Sequence, residues 1–444
     1  MRPIIKTALP GPNAQRYLAD SQRYEPRSMS EEVPIVWKRG ERVWIEDVDG
    51  NVFLDFTSGV LVTNVGHAHP KLVAAMREQA GLVTNCYDFA NEWRPALARK
   101  LVEITPPNLD KAIILTTGAE AVEAAVKMAR KYGAERGRYE IVAFHGAFHG
   151  RTYGALSLNG KRSSPGVRDF GPFLPGVVFA PFPYRYRCPW CRMQAACTMQ
   201  CFDFFEWVIE TESEKRIAAV LVETYQGAAG SIIPPVEWFQ RLERWCREHD
   251  ALLIIDEVQA SFGRTGKMFG FEHFGVTPNL LCLGKGISSS VPVSAVVGES
   301  RVMDLLTPGS ISSTHGGNAF CARVALANIE IIEQEGLVEN AARVGAALLE
   351  RCKAMEARYR VLGEARGMGL VLGLEIVKDK ESREPAPETA REIVERCYRR
   401  GLLMIAPIGF YGNVLRIAPP LVITHEEAML GADILEQVLA EVSG

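Results

Sequence analysis

Two periods of hydrophobicity run along this chain. Residues 112–117, 140–144, 217–222, 251–255 and 280–283 form short, nearly continuous apolar runs bounded by polar residues. Such runs predict strands buried on both faces, as in a parallel sheet. Between them the apolar positions recur every three or four residues. Ala121, Val122, Ala125, Met128 and Ala129 follow Gly118-Ala119-Glu120, and Val236, Phe239, Leu242 and Trp245 follow Pro234-Pro235. These are the faces of amphipathic helices. Strand and helix repeated in this order predict right-handed crossovers and an α/β unit with a mainly parallel sheet.

The texture changes at both ends. Residues 1–35 are polar and irregular, and residues 43–55 read as a hairpin turning at Asp49-Gly50-Asn51. Beyond residue 325 a long helical stretch (327–359) precedes an apolar run at 367–376. A helix at 388–400, strands at 402–405 and 414–417 and a last helix at 425–442 follow. The expected division is a large domain over 71–325 and a smaller α+β domain over 326–444, which residues 1–70 join.

Composition narrows the function classes. The 444 residues are 47% hydrophobic, enough for a large core, and the formal net charge is −3. Nothing in that balance points to nucleic acid or to an acidic membrane surface. The first thirty residues lack the apolar stretch of a signal peptide, and no apolar run approaches the roughly 18 residues of a membrane helix. Ten cysteines in a chain of this length are not a secreted disulfide framework. The expectation is a soluble, cytoplasmic protein.

The chemistry concentrates at the ends of two apolar runs. Residues 251–255 lead into Asp256-Glu257-Val258-Gln259, and residues 280–283 into Gly284-Lys285-Gly286. Open α/β sheets bind ligands beyond the carboxyl ends of their strands. Asp256 alone reads as a helix cap and Lys285 alone as a turn lysine. Together they suit pyridoxal phosphate, which takes a lysine Schiff base and an acidic partner for its ring nitrogen. Gly118-Ala119, at a strand-to-helix turn, offers free N–H groups and a helix dipole to a phosphate. Phe148 could stack on a flat ring, and Gln259 could reach its hydroxyl. His67 and His69 have no further ligand near them in sequence and read as loop packing.

The motifs, in order, are Thr117-Gly118-Ala119-Glu120-Ala121, Phe148-His149-Gly150-Arg151-Thr152, Ile255-Asp256-Glu257-Val258-Gln259 and Phe262-Gly263-Arg264-Thr265-Gly266. Gly284-Lys285-Gly286, Thr314-His315-Gly316-Gly317-Asn318 and Leu415-Arg416-Ile417-Ala418-Pro419-Pro420 complete them. With them the chain resembles the class III aminotransferases of pyridoxal-phosphate fold type I, from Asp55 to the last helix. The resemblance implies a large domain with a mainly parallel seven-stranded sheet. It implies Lys285 as Schiff-base lysine and proton shuttle, and Asp256 at the pyridinium. Gln259 would lie near the ring oxygen, and Phe148 with His149 at the ring. Gly118 and Ala119 would hold the phosphate with Thr314 from the second subunit of a homodimer or larger assembly. Arg416 would grip a substrate carboxylate and Arg151 a distal one. Glu223 would line both cofactor and substrate sites and pair with Arg416 when no carboxylate is present. Val60, Leu61 and Tyr87 would line the substrate mouth. The implied reaction moves an amino group from an ω-amino acid, amine or amino acid to a 2-oxo acid. Racemisation, epimerisation or decarboxylation on the same residues is the alternative.

One feature departs from the family pattern, and a cysteine cluster, of a kind relatives also carry at this point, has no evident catalytic role. Thr224-Tyr225-Gln226-Gly227 follow Glu223, where the family often has proline and a small aliphatic residue; Tyr225 there narrows the pocket or moves Glu223. Cys188, Cys191, Cys197 and Cys201 lie within fourteen positions. Their spacing matches a zinc or iron–sulfur motif imperfectly, and no metal is assigned from sequence.

Overall fold

In the computed structural model, which describes residues 1–29, 32–191 and 197–443, the N-terminal strands are β1 (Trp37–Glu41), β2 (Trp44–Asp47) and β3 (Val52–Asp55). They run antiparallel to one another. The turn between β2 and β3 is closed by Asp47, whose Oδ1 accepts the N–H groups of Asp49 at 2.9 Å and Asn51 at 2.8 Å.

The next seven strands are β4 (Lys111–Leu115), β5 (Glu140–Phe144), β6 (Val177–Ala180), β7 (Ile217–Glu223), β8 (Leu252–Asp256), β9 (Leu280–Leu283) and β10 (Ser294–Gly298). They form one sheet in the order β4-β10-β9-β8-β7-β5-β6. Only β10 runs antiparallel to its neighbours. This is the mainly parallel seven-stranded sheet of the expected fold class. Strands β5, β7, β8, β9 and β10 are buried along their whole length, while β4 and β6 are edges with exposed or half-buried positions. That burial explains the continuous apolar runs: a strand covered on both faces has no solvent side to carry polar residues. The helix Gly118–Gly133 packs Ala121, Val122, Ala125, Met128 and Ala129 into the core with Ile141, Leu221, Ile254 and Val296.

The C-terminal strands are β11 (Leu362–Met368), β12 (Val371–Ile376), β13 (Leu402–Leu403) and β14 (Val414–Ile417). β11, β12 and β14 form a three-stranded sheet, and β13 adds parallel to β3 in a four-stranded one. Both termini thus share one unit, composed of Met1–Pro70, Gly263–Gly266 and Ile332–Gly444; the other holds Lys71–Phe262 and Lys267–Ile331. The second boundary falls at 331 rather than 325, inside the helix Ala319–Gln334, and the short segment at 263–266 sits in the smaller unit.

Three local expectations differ from the structure. The helical stretch at 327–359 breaks at Gly336, whose φ of +60° ends one helix before Leu337–Arg358 begins. The apolar run at 367–376 is two strands joined at Gly369-Leu370. At 402–405 only Leu402 and Leu403 pair, and the chain turns away ahead of Pro407.

The smaller unit also contains a turn of the wrong hand. Ser58, Gly59, Val60 and Leu61 all have positive φ, between 50° and 66°. A left-handed helical residue other than glycine costs roughly 1–2 kcal/mol. Asp55 offsets this by accepting the N–H of Thr57 at 2.7 Å, its hydroxyl at 2.7 Å and the N–H of Ser58 at 3.2 Å. The carboxylate also meets His67 Nε2 at 2.8 Å, while His69 pairs separately with Glu335. The two histidines therefore serve the loop, each with its own partner.

Arg264 ties the same region together. It is fully buried and donates to Leu370 O (3.0 Å), Pro419 O (2.5 Å), Ser58 Oγ (3.3 Å) and Asn64 Oδ1 (2.8 Å). Replacing it by methionine keeps the bulk and strands these acceptors. Arg264→Met is expected to lower stability by roughly 3–5 kcal/mol, seen as an earlier midpoint in urea unfolding; an unchanged midpoint would contradict this account.

Candidate active site

Strands β7, β8 and β9 lie side by side and end together. Glu223 pairs in register with Asp256, and Asp256 with Cys282, three residues before Lys285. Parallel pairing of buried strands thus places two carboxylates and an amine at the same carboxyl end of the sheet, where α/β ligands bind.

Each side chain is held by local chemistry. Asp256 ends β8 by accepting the N–H of Val258 on its own Oδ1 at 3.0 Å, an Asx turn. Its Oδ2 meets His149 Nδ1 at 2.7 Å, with both side chains almost wholly buried. His149 is fixed in turn by Asn159, whose Oδ1 accepts the His149 N–H at 2.7 Å. Glu223 is buried and accepts Phe148 N–H on Oε1 and Gly227 N–H on Oε2, each at 3.0 Å. Burial pushes the Glu223 carboxyl up to about 7; His149 opposes the rise, Asp256 adds to it, and the two amides oppose it. Lys285 opens a short 3₁₀ turn with a φ of +42°, a conformation uncommon for a non-glycine residue.

These residues surround a pocket of about 180 Å³ lined by Gly118, Ala119, Phe148, His149, Gly150, Glu223, Tyr225, Ala228, Asp256, Val258, Gln259, Ala260 and Lys285. Of the residues singled out from sequence, the pocket brings together Gly118, Ala119, Phe148, His149, Glu223, Asp256, Gln259 and Lys285. Gly118 and Ala119 start the helix Gly118–Gly133, so their N–H groups are among those an α-helix leaves without an internal acceptor. Two polar atoms of lining residues, His149 Nε2 and Gln259 Oε1, are buried without a hydrogen-bond partner among the described residues. A buried polar atom left unpaired is costly, so this pair marks where a ligand would bond.

Other expected residues do not line it. Thr314 and Tyr87 are exposed, and Arg151 is exposed with its guanidinium over the Phe148 ring at 5.7 Å. Val60, Leu61 and Arg416 belong to the smaller unit, where Val60 and Leu61 form half of the left-handed turn and Arg416 is buried on β14. Tyr225, the residue that departs from the family pattern, is buried in the pocket wall, its hydroxyl 3.5 Å from Gln259 O.

Sequence reasoning gave no role to Val258 or Asn159. A Cβ on Gly118 would meet Val258 Cγ1 at 2.8 Å, and one on Gly284 would meet the same atom at 3.1 Å. Val258 is therefore wedged between the helix turn and the lysine segment, and forms one wall of the pocket. An apolar residue alternating with Asp256 and flanked by polar neighbours was the available signal. For Asn159 there was none.

The family model described as aminotransferase class-III matches residues 26–439. The chain is 38% identical over 413 residues to the leucine/methionine racemase of Thermococcus litoralis, covering 92% of this chain and 91% of that protein. It is 33% identical over 445 residues to the 4-aminobutyrate aminotransferase of Mycobacterium leprae, covering 98% of each. Its fold matches the (S)-enantioselective omega-transaminase from Thermomicrobium roseum with a TM-score of 0.89 and 32% identity, over 99% of this chain and 100% of that one.

The raised pKa of Glu223 has a measurable sign. The folded protein keeps the Glu223 proton up to about pH 7, whereas an unfolded glutamate loses it near 4.3. Stability from this group is therefore greatest at low pH and falls as pH rises toward 7. Glu223→Gln removes that fall. The variant's melting temperature, relative to the parent's, is expected to be higher at pH 8 than at pH 5; the same difference at both would mean that Glu223 is ionised throughout.

Proposed function

The chain belongs to the class III aminotransferases, and on that premise we propose that it moves an amino group from an ω-amino acid, amine or amino acid to a 2-oxo acid such as pyruvate or 2-oxoglutarate. The observation that carries this reading is one pocket in which Asp256, paired with His149, lies at the same carboxyl end of the sheet as Lys285.

Class III aminotransferases depend on pyridoxal phosphate, and the residues present fit it. The unpartnered His149 Nε2 and Gln259 Oε1 give a polar heterocycle atoms to bond, and the Gly118–Ala119 amides give its phosphate donors. When bound, the cofactor supplies an electron sink for negative charge at the substrate carbon. Asp256, oriented by His149 and by the Val258 amide, would face the ring nitrogen. Val258 and Phe148, which line the pocket, would form its walls against the ring. Lys285 Nζ would hold the cofactor, and its free amine would take the proton from the substrate carbon and return it. Among the described lining residues Lys285 is the only amine, while His149 and Asp256 are bound to each other and Glu223 to two backbone amides. This supports Lys285 as the proton carrier. Tyr225 shortens the pocket and favours compact donors. Arg416 grips the acceptor carboxylate, since a guanidinium fork binds carboxylate bidentately, and Arg151 meets a distal carboxylate where the donor has one. Thr314, outside the pocket lining of its own chain, belongs in this reading to the phosphate site of a second copy, so the working unit is a homodimer or larger assembly.

The similarity to a leucine/methionine racemase makes racemisation the second reading. Colour separates the two. Donor alone should bleach the yellow holoenzyme and 2-oxo acid restore it; inversion of an L-amino acid with persistent yellow colour and no need for 2-oxo acid would establish racemisation instead.

Lys285→Ala should still take up pyridoxal phosphate but lose at least roughly 10²-fold in turnover, and borohydride should label Lys285 in the parent; a variant with normal turnover refutes the assignment. Arg416→Ala should raise the KM for 2-oxo acids far more than for simple amines, and equal changes for both would mean that Arg416 does not grip the acceptor.

A further inference from the structure

Among the described residues no three metal-ligating side chains, those of Cys188, Cys191, Cys197 and Cys201 included, gather around a common point. A buried amide beside the Lys285 turn is better placed to act on the reaction. We propose that Asn328 is a positioning residue: its side-chain amide clamps the turn that follows Lys285 and so sets the direction in which the lysine enters the pocket. The inference rests on Lys285 being the lysine that holds the cofactor.

Three observations carry this. First, the turn is strained. Lys285 has a φ of +42° and Ser289 one of +57°, and neither is a glycine. Such backbone persists where its surroundings over-determine it. The turn's own bonds are modest: the Ile287 N–H donates to Gly284 O at 3.0 Å, and the Ser288 N–H reaches Lys285 O at 3.4 Å. Second, Asn328 Nδ2 donates to Gly286 O at 2.9 Å and to Ile287 O at 3.0 Å. A primary amide nitrogen carries two hydrogens, one for each carbonyl. Both neighbours are acceptors, so only the nitrogen side of the amide can face them. Two successive carbonyls held from outside fix the peptide planes just after Lys285. Third, packing alone does not call for this residue. Asn328 is fully buried inside the helix Ala319–Gln334, where Val324, Ala325, Ile329 and Ile332 are buried too. Asparagine is a poor helix-interior residue, and its Oδ1 is buried without a hydrogen-bond partner among the described residues. A polar atom left unpaired in a core is costly, so the side chain is kept for its two donors. Val258 closes the clamp from the other end: a Cβ on Gly284 would meet its Cγ1 at 3.1 Å. The lysine turn is held by a valine before Lys285 and by an amide after it.

Hydrogen exchange on the cofactor-free parent needs no variant. The Ile287 and Ser288 amides should exchange as slowly as those in the middle of the helix Ala319–Gln334; exchange at the rate of an open loop would overturn the clamp. Asn328→Asp keeps the shape and replaces the donating nitrogen with an oxygen. The variant should bind as much pyridoxal phosphate as the parent, but its yellow colour should form roughly tenfold more slowly, and kcat should fall roughly 10- to 100-fold with donor KM within about twofold, the pattern of a misplaced reacting group. A folded variant with the parent's colour rate and kcat, or one in which KM alone changes, would overturn the positioning role. Borohydride separates this failure from that of the underlying assignment: label on Lys285 in the parent with no effect of Asn328→Asp sinks the clamp alone, whereas label on another lysine sinks both. Should the variant not fold, the exchange rates at 287 and 288 decide.

Discussion

The contact between Asp256 and His149 is the constraint from which the larger unit is built. A carboxylate with almost no solvent access is costly unless its oxygens are bonded. Here one oxygen ends its own strand through the Val258 amide and the other meets the imidazole. Asn159 holds the imidazole's backbone. A strand end, a loop and a neighbouring segment are therefore committed to keeping one charged group pointed at the pocket. The sheet explains how this is possible: in-register parallel strands align their last residues without any long-range adjustment. Glu223 and the lysine segment arrive beside Asp256 for the same reason.

The smaller unit solves a different problem. Four successive residues have positive φ, and the turn they form is fixed at its start by Asp55, which accepts the N–H groups of Thr57 and Ser58, and by the buried Arg264, which donates to Ser58 Oγ and to Asn64 Oδ1 beyond it. Local strain persists where surrounding structure over-determines it. Asp55 and Arg264 do that here on either side of the turn, and Val60 and Leu61 lie between the positions they bond.

What the sequence revealed follows from how burial is encoded. Strands covered on both faces must be apolar throughout, so the sheet and the positions of Asp256 and Lys285 were legible, as was the helix opening at Gly118. Val258 was not, because its place depends on two glycines distant in sequence. Asn159 acts on a backbone N–H ten residues away, a relation that no periodicity records. The turn at 58–61 was invisible because Ser58, Val60 and Leu61 carry no mark of left-handed backbone. Gly336 split an apparently continuous helix because one residue in that conformation interrupts the ladder without disturbing the apolar spacing on either side.

The seat of Val258 ties three positions into one steric unit. Its methyl groups fill the space that side chains at Gly118 and Gly284 would occupy. A methyl gained at Gly118 needs Val258 to shift or shrink, one at Gly284 needs it to give way slightly, and a larger residue at 258 would press against both glycines. Changes at these sites are therefore epistatic, and the order in which they arise decides whether a lineage or an engineering campaign can cross from one pocket shape to another.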